Sequence, residues 1–239
     1  MNYYDSIMYT HILKLQNFIN NYFSEQKAII ILEAGCGSIS HLTFNKKVQI
    51  TGIDISQKQL ERNRHLHTKI HGDLQTYIFN KEIFDCVVCW DVLEHLKHPI
   101  AALDNMSNSL KKNGLLIIKA PNPLSLKGLI TKITPLTFHR FLYKTVFKRK
   151  TNVEEEIGPY KTYLKFVISP NSLMKYAVSH KLKIIFYYKY DITQYFKIFN
   201  QNIYGMIIKK MYKFFKVIIE FFTFGLISDS EFILVLQKK

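Results

Sequence analysis

The sequence predicts an α/β protein built on a doubly wound parallel β-sheet, for two reasons. Short runs of β-branched and other apolar residues recur along the first 123 residues, and each is too short for a helix. Most of these runs are continuously apolar, as in strands buried on both faces, and helix-compatible segments separate them. The five predicted strands are residues 28–32, 48–53, 69–72, 84–90 and 115–120.

The helices are predicted from two kinds of sequence evidence. Residues 9–23 and 99–110 place apolar side chains at helical spacing, whereas residues 57–67 are polar but compatible with a helix. We expect Asn113 and Gly114 to end the helix that begins near residue 99, because glycine is common just beyond helix C-termini.

Charge divides the chain into two unlike parts. The 239 residues carry 33 Lys and Arg against 18 Asp and Glu, a net charge of +15. Residues 1–123 hold 13 basic and 11 acidic side chains, whereas residues 124–239 hold 20 and 7. Two interpretations stay open: a compositional bias of the genome, or a surface that meets an anionic membrane or substrate.

Composition also excludes several classes of protein. The hydrophobic fraction of 48% is that of a globular chain, not a disordered or collagen-like one. Three cysteines are too few for a disulfide scaffold and lack zinc-site spacing, which favours a cytoplasmic protein. Residues 1–10 do not form a secretory signal, and the apolar run at 217–227 is far shorter than the ~20 residues of a membrane span.

Glycines and acidic residues follow the predicted strands, at the ends where ligands bind in such sheets. Gly35 and Gly37 follow the first strand and let the backbone turn sharply and approach a ligand. Asp54 follows the second strand, 17 residues beyond Gly37, where a carboxylate can accept both hydroxyls of a ribose. The acidic residues at strand ends are Glu33, Asp54, Asp73 and Asp91.

Six segments resemble class I S-adenosylmethionine-dependent methyltransferases in order and spacing, within the superfamily of ubiquinone- and menaquinone-biosynthesis-like methyltransferase domains. The resemblance is dense over residues 28–123. It implies a Rossmann-like, seven-stranded, mostly parallel sheet with helices on both faces, and S-adenosyl-L-methionine as cofactor. The segments are ILEAGCG at 31–37, GIDIS at 52–56, GDL at 72–74, FDCVV at 84–88, DVLEHL at 91–96 and GLLII at 114–118.

The resemblance also implies a role for each matching residue. The loop after the first strand would hold the methionine part of the cofactor, Asp54 would bind its ribose, and Ile55 would lie beside the adenine. Asp73 and Leu74 would flank the adenine as well. The loop residues are Glu33, Gly35, Cys36 and Gly37.

Trp90 and Asp91 match the segment that lines the sulfonium and the substrate entrance. Structural alternatives stay open for two of these positions, since Asp73 could cap a turn and Trp90 could belong to the core. Ile39 stands where the family usually has a further glycine, and the helix before Val48 must be short. A nicotinamide-binding fold is disfavoured because its third glycine would fall at Ser40.

Asp91, Glu94 and His95 share one face if a helix begins near Asp91. In the ubiquinone-biosynthesis O-methyltransferases that this segment resembles, matching residues bind a metal near the substrate. Two other interpretations stay open: His95 fixes a loop by hydrogen bonds, or it acts as a general base. We predict catalytic roles for His95 and Asp91 and no metal site.

Beyond residue 123 we expect two extended segments, 124–150 and 151–168, and then a helix that begins at Ser169. Residues 183–190 and 231–237 are predicted as the last two strands. The division into domains is therefore an N-terminal helix (1–27), a cofactor-binding core (28–123) and a basic, aromatic substrate or cap region (124–239).

An insert at residues 191–230 separates the last two strands. It carries one apolar stripe and a lysine face, which is typical of a helix lying on a membrane surface. A helix that covers the sheet edge or the active site, and an oligomer interface, are the alternatives. The apolar positions are Ile207, Ile208, Met211, Phe214, Phe215, Ile218, Ile219 and Phe222; the lysines are Lys209, Lys210, Lys213 and Lys216.

The predicted function is methyl transfer from S-adenosyl-L-methionine, with oxygen as the favoured acceptor atom in a small or lipid-linked acceptor such as a glycan, lipid or quinone-type molecule. The alternatives are an N-methyltransferase acting on a protein or nucleic acid, and a non-catalytic, cofactor-binding scaffold at a membrane surface. Nucleic acid is disfavoured because no nucleic-acid-binding module is recognisable. We expect a cytoplasmic protein that can lie on the inner face of the membrane.

Overall fold

The computed structural model describes residues 3–145, 160–191, 203–223 and 229–239. The strands are β1 (Ala28–Ala34), β2 (Lys47–Asp54), β3 (Thr68–His71), β4 (Phe84–Trp90), β5 (Leu110–Pro121), β6 (Leu182–Tyr190) and β7 (Glu231–Lys238). The helices are α1 (Tyr3–Tyr22), α2 (Gln57–Arg62), α3 (Pro99–Ser109), α4 (Leu126–Ile133), α5 (Leu136–Thr145), α6 (Pro170–Ser179) and α7 (Ile203–Phe222).

The strands form one seven-stranded sheet in the order β3-β2-β1-β4-β5-β7-β6. Strands β1 to β5 are parallel to one another, whereas β7 runs antiparallel to both β5 and β6. The predicted fold class is therefore confirmed, including the mostly parallel sheet and a helix in the insert before the last strand.

Both faces of the sheet are buried. Alternate side chains of β1 point to opposite faces of the sheet, so this strand contributes to the buried cluster on each side. Ile29 and Ile31 belong to one buried cluster, whereas Leu32 and Ala34 belong to the other. Helix α1 contributes to the first cluster, and α3 and α6 contribute to the second. This two-sided burial explains why the strand segments are continuously apolar.

Three local expectations are wrong. No helix forms between Gly35 and Lys46, because Leu42 is buried in the α1 cluster and the backbone N–H of Thr43 donates to Gln16 of α1. Helix α3 ends at Ser109, and Asn113, with a φ of 61°, lies at an irregularity within β5. Residues 124–145 are largely helical rather than extended.

Other expectations for the C-terminal part are met. Helix α6 begins after Ser169, whose hydroxyl accepts the backbone N–H of Ser172. The last two strands lie where the sequence places them, and α7 lies within the 191–230 insert. Among the helices of the described ranges, none is long and apolar enough to cross a membrane.

Candidate active site

A cavity of about 1150 Å³ opens at the carboxyl edge of the parallel strands. It exceeds the ~300–1,000 Å³ of common ligand pockets, which leaves room for two ligands side by side. Every residue predicted to bind the cofactor or to act in catalysis lines it, with the exception of Glu33. These lining residues are Gly35, Cys36, Gly37, Asp54, Ile55, Asp73, Leu74, Trp90, Asp91 and His95.

The glycines after β1 are required by geometry. Gly35 has a φ of 68°, and a Cβ atom there would lie 2.5 Å from Cγ2 of Val92. Gly37 has a φ of 52°, and a Cβ atom there would meet nothing within 4 Å, because Gly37 borders the cavity. The loop therefore keeps its backbone open to a ligand, as the sequence predicts.

Asp54 is held in place by the loops on both sides. The backbone N–H of Gly37 donates to Oδ2 of Asp54 and that of Ser56 donates to Oδ1, each at 2.8 Å. A carboxylate offers about four acceptor positions. Asp54 can therefore still accept two hydroxyl groups from a ligand in the cavity.

Asp73 both caps a turn and lines the cavity. Its Oδ1 accepts the backbone N–H of Gln75 at 2.8 Å and thereby caps a turn, as the structural alternative suggested. The same carboxylate borders the cavity next to Leu74, as the resemblance implies. Gln75 also accepts the backbone N–H of His98 at the start of α3, which fixes this wall of the cavity.

Glu33 lies beneath the loop rather than at the cavity surface. It is buried, and Oγ of Ser40 donates to its Oε2 at 2.6 Å. Burial raises the pKa of Glu33, and the bond to Ser40 opposes this shift. Nearby, burial raises the pKa of the Cys36 thiol to about 12, so this cysteine is not a ready nucleophile.

Trp90 forms a flat wall of the cavity with a residue that sequence analysis missed. The rings of Trp90 and His41 are stacked, with centroids 5.3 Å apart and an interplanar angle of 13°. Trp90 also packs against the buried cluster beneath α1. Trp90 therefore packs in the core and also forms part of the cavity wall.

Asp91 is positioned by an ion pair below the cavity. Its backbone has a φ of 54°, and its Oδ1 lies 2.5 Å from Nζ of Lys119 on β5. Lys119 also pairs with Oε2 of Glu231 at 2.9 Å, and Glu231 pairs in turn with Lys127 of α4. Burial disfavours the ammonium, but Asp91 and Glu231 outweigh burial and hold the pKa of Lys119 well above its usual value.

Glu94 and His95 lie in a 3₁₀ turn, not in an α-helix. Glu94 is buried, and burial together with the nearby charge of Asp91 raises its pKa, so the neutral acid is favoured. Its Oε2 has no hydrogen-bond partner in the parts of the chain that the structure describes. Across those same ranges, no group of three or more His, Cys, Asp or Glu side chains is arranged to hold a metal ion.

The His95 imidazole borders the cavity in a defined tautomer. Nδ1 lies 2.8 Å from the carbonyl oxygen of Lys161, so Nδ1 is the donor and the lone pair remains on Nε2. Burial lowers the pKa of His95, which favours this neutral form. The loop-fixing interpretation is therefore correct for Nδ1, while Nε2 keeps its lone pair and lies 3.9 Å from Oε1 of Glu94.

Sequence analysis missed the part of the cavity wall formed by Tyr160, Lys161 and Tyr163. Nε2 of Gln59 donates to Oη of Tyr160 at 2.9 Å, and the rings of Tyr160 and His95 meet edge to face. Backbone N–H groups of Tyr163 and Leu164 donate to the carbonyl of Glu94. The only sequence signal for this wall is the abundance of aromatic residues after residue 123.

A seven-stranded sheet of this order, with a glycine loop and acidic residues at its carboxyl edge, has the architecture of the class I S-adenosylmethionine-dependent methyltransferases. Comparison with protein families agrees, since the methyltransferase-domain family matches residues 7–150, more than half of the chain. The chain therefore belongs to the methyltransferase-domain family, which confirms the resemblance seen in the sequence.

Individual relatives are more distant. The chain is 32% identical over 127 residues to uncharacterized protein MJ0638 of Methanocaldococcus jannaschii, covering 53% of this chain and 54% of that protein. It is 28% identical over 95 residues to the ubiquinone biosynthesis O-methyltransferase of Vibrio cholerae, covering 35% and 38%. The chain thus matches about half or less of the length of these curated relatives.

Solved structures share the fold at low identity. A SAM-dependent methyltransferase from Archaeoglobus fulgidus aligns with a TM-score of 0.53 at 16% identity. The alignment covers 99% of this chain and all of that protein. At this level of identity the similarity establishes the fold, and the chemistry must be argued from the site.

Proposed function

We propose that the protein transfers a methyl group from S-adenosyl-L-methionine to a hydroxyl oxygen of a small or lipid-linked acceptor. The observation that carries this proposal is His95, a neutral imidazole at the cavity wall whose Nε2 keeps its lone pair because Nδ1 donates to the Lys161 carbonyl. A hydroxyl acceptor benefits from a base that removes its proton, and such a base contributes about 10²–10⁴-fold to the rate.

The cavity suits the cofactor on its own geometry. Gly37 leaves space where a side chain would stand, and the Asp54 carboxylate retains acceptor positions for the two ribose hydroxyls. Asp73, Leu74 and Ile55 line the part of the cavity assigned to the adenine. When bound, the cofactor supplies an electrophilic methyl group on a sulfonium.

The chain's own groups provide positioning and proton transfer. The stacked rings of Trp90 and His41 form a flat surface against which an acceptor can lie. Nε2 of His95 takes the proton that the acceptor hydroxyl loses, while the Lys161 carbonyl stabilises the resulting imidazolium through Nδ1. Asp91, oriented by Lys119, places a negative charge near the developing cation.

The similarity to an O-methyltransferase of ubiquinone biosynthesis supports oxygen as the acceptor atom, although it covers only 35% of this chain. The size of the cavity supports an acceptor that binds beside the cofactor. The net charge of +15 supports an anionic acceptor or an anionic surface around it.

The test uses S-adenosyl-L-methionine with a carbon-13 methyl group, incubated with the purified protein and with extracts separated into lipid and aqueous fractions. We expect a labelled product whose methyl carbon has the chemical shift of a methoxy group, and we expect His95→Gln to form it far more slowly. A label found on nitrogen would show that the acceptor atom is nitrogen and not oxygen. Cofactor binding without any labelled product would instead favour the scaffold function.

A further inference from the structure

Helix α7 turns its apolar side chains outward. Phe214, Phe221 and Phe222 are 63%, 76% and 73% exposed, and ten large apolar side chains of this helix are at least 40% exposed within the described ranges. Apolar surface of this extent is uncommon on monomeric soluble proteins and marks an interaction site.

The opposite side of α7 is attached to the protein by charge. Nζ of Lys216 lies 2.7 Å from Oδ2 of Asp191 and 3.6 Å from Oδ1 of Asp229. Lys216 is mostly buried by these contacts. A helix that merely covered the sheet would direct its apolar stripe inward, but here a lysine faces the protein instead.

Two exposed lysines, Lys210 and Lys213, stand beside the apolar surface. Phe214 lies four residues after Lys210 and Val217 lies four residues after Lys213, so each cation is adjacent to an exposed apolar side chain. A second copy of this chain, which also carries a net charge of +15, would bring like charges together. An anionic surface would complement them.

The position of α7 relates this surface to the cavity. Asp191 follows β6 and Asp229 precedes β7, and Tyr190 and Glu231 pair at the same end of these strands. Glu231 is linked to Asp91 at the cavity through Lys119. Helix α7 is therefore anchored at the edge of the sheet where the cavity opens.

We propose that α7 docks the protein on an anionic lipid membrane. The exposed aromatic and aliphatic residues enter the boundary between headgroups and acyl chains, and Lys210 and Lys213 contact lipid phosphates. This docking goes beyond the proposed methyl transfer and does not depend on it.

The test is co-sedimentation of the full chain with vesicles of phosphatidylcholine, with and without phosphatidylglycerol, at low and high salt. We expect binding to the anionic vesicles that weakens with salt. Lys210→Gln with Lys213→Gln should weaken it about 30-fold, because each basic residue at such a surface contributes about fivefold. Phe214→Ser with Phe221→Ser should weaken binding on the order of tenfold or more per side chain.

The matched control is Lys81→Gln with Lys112→Gln, which removes the same charge from exposed positions at the opposite edge of the sheet. This control should bind the vesicles like the wild type, and S-adenosyl-L-methionine affinity should be unchanged in all variants. The proposal is overturned if the wild type stays in the supernatant with anionic vesicles at low salt. It is also overturned if the control pair weakens binding as much as the α7 pair, or if the phenylalanine changes only dissociate an oligomer.

Discussion

The Nζ atom of Lys119 lies 2.5 Å from Oδ1 of Asp91, at the edge of the cavity where an acceptor would bind. The same ammonium lies 2.9 Å from Glu231, so one buried cation holds a carboxylate from each of two strand ends. Because β5 and β7 are neighbours in the sheet, this pairing connects the candidate active site to the C-terminal strand. Lys119 is thus a positioning residue for Asp91.

Replacing Lys119 by Met should destabilise the protein by about 3–5 kcal/mol, because removing one partner leaves buried charge uncompensated. Urea unfolding measures the change. The matched control is Lys111→Met, also on β5, which breaks the more exposed pair with Asp85 and should cost about 1 kcal/mol or less. Equal losses in both variants would contradict the special role of Lys119. Lys119→Arg, which keeps the charge, should recover most of the stability.

The sequence predicts this site well where the signal is local. Strand ends of a parallel sheet lie at one edge, so Gly35, Gly37, Asp54, Asp73 and Asp91 could be brought together from their positions alone. The pairing of Lys119 with Glu231 could not be predicted in this way, because it depends on an antiparallel contact between strands more than 100 residues apart.

Other features escaped prediction for related reasons. The bond from His95 to Lys161 joins a turn to a distant segment without regular structure. Glu33 was placed in the cofactor loop by its motif, but burial and the bond to Ser40 put it beneath that loop. The periodicity of α7 defines an apolar face, but it does not specify whether that face points inward or outward.

Replacing Asp54 by Ala should weaken S-adenosyl-L-methionine binding by roughly 10²-fold or more, since hydrogen bonds to a charged acceptor contribute about 1.5–3 kcal/mol each. Isothermal titration measures the affinity. The matched control is Asp85→Ala, because Asp85 also accepts a backbone N–H, from Ile30, but lies outside the cavity. Unchanged affinity in a folded Asp54→Ala protein would remove Asp54 from the ribose site.

The turnover rate should stay constant as the pH falls towards the usual histidine value and should decline only below it. Burial lowers the pKa of His95 from about 6.5, so the neutral base persists into mildly acidic solution. His95→Gln should lose about 10²–10⁴-fold in rate and also lose this pH dependence, with cofactor affinity retained. The control is His98→Gln, an exposed histidine outside the cavity, which should keep the wild-type profile. If the pH profile of His95→Gln were the same as that of the wild type, a group other than His95 would take the proton.

Replacing Glu94 by Gln should make the protein more stable than the wild type at alkaline pH. Burial raises the pKa of Glu94 above its unfolded value of about 4.3, so its neutral form stabilises the folded state fully below that value. This contribution is lost as the pH rises through the raised folded pKa, by about 1.4 kcal/mol for each unit of the shift. Glutamine cannot ionise, so the variant keeps its stability where the wild type must bury a carboxylate or unfold.

Urea unfolding of wild type and Glu94→Gln across the pH range measures this difference. The two proteins should be similar near pH 4 and should diverge in favour of the variant as the pH increases. The exposed Glu25→Gln change serves as the control and should leave the pH dependence of the wild type unaltered. A constant difference between Glu94→Gln and wild type at all pH values would mean that folding does not shift the pKa of Glu94, so that its carboxylate is ionised in the folded protein above the usual range. In that case its charge, added to that of Asp91, would need a further cation besides Lys119 beneath the cavity.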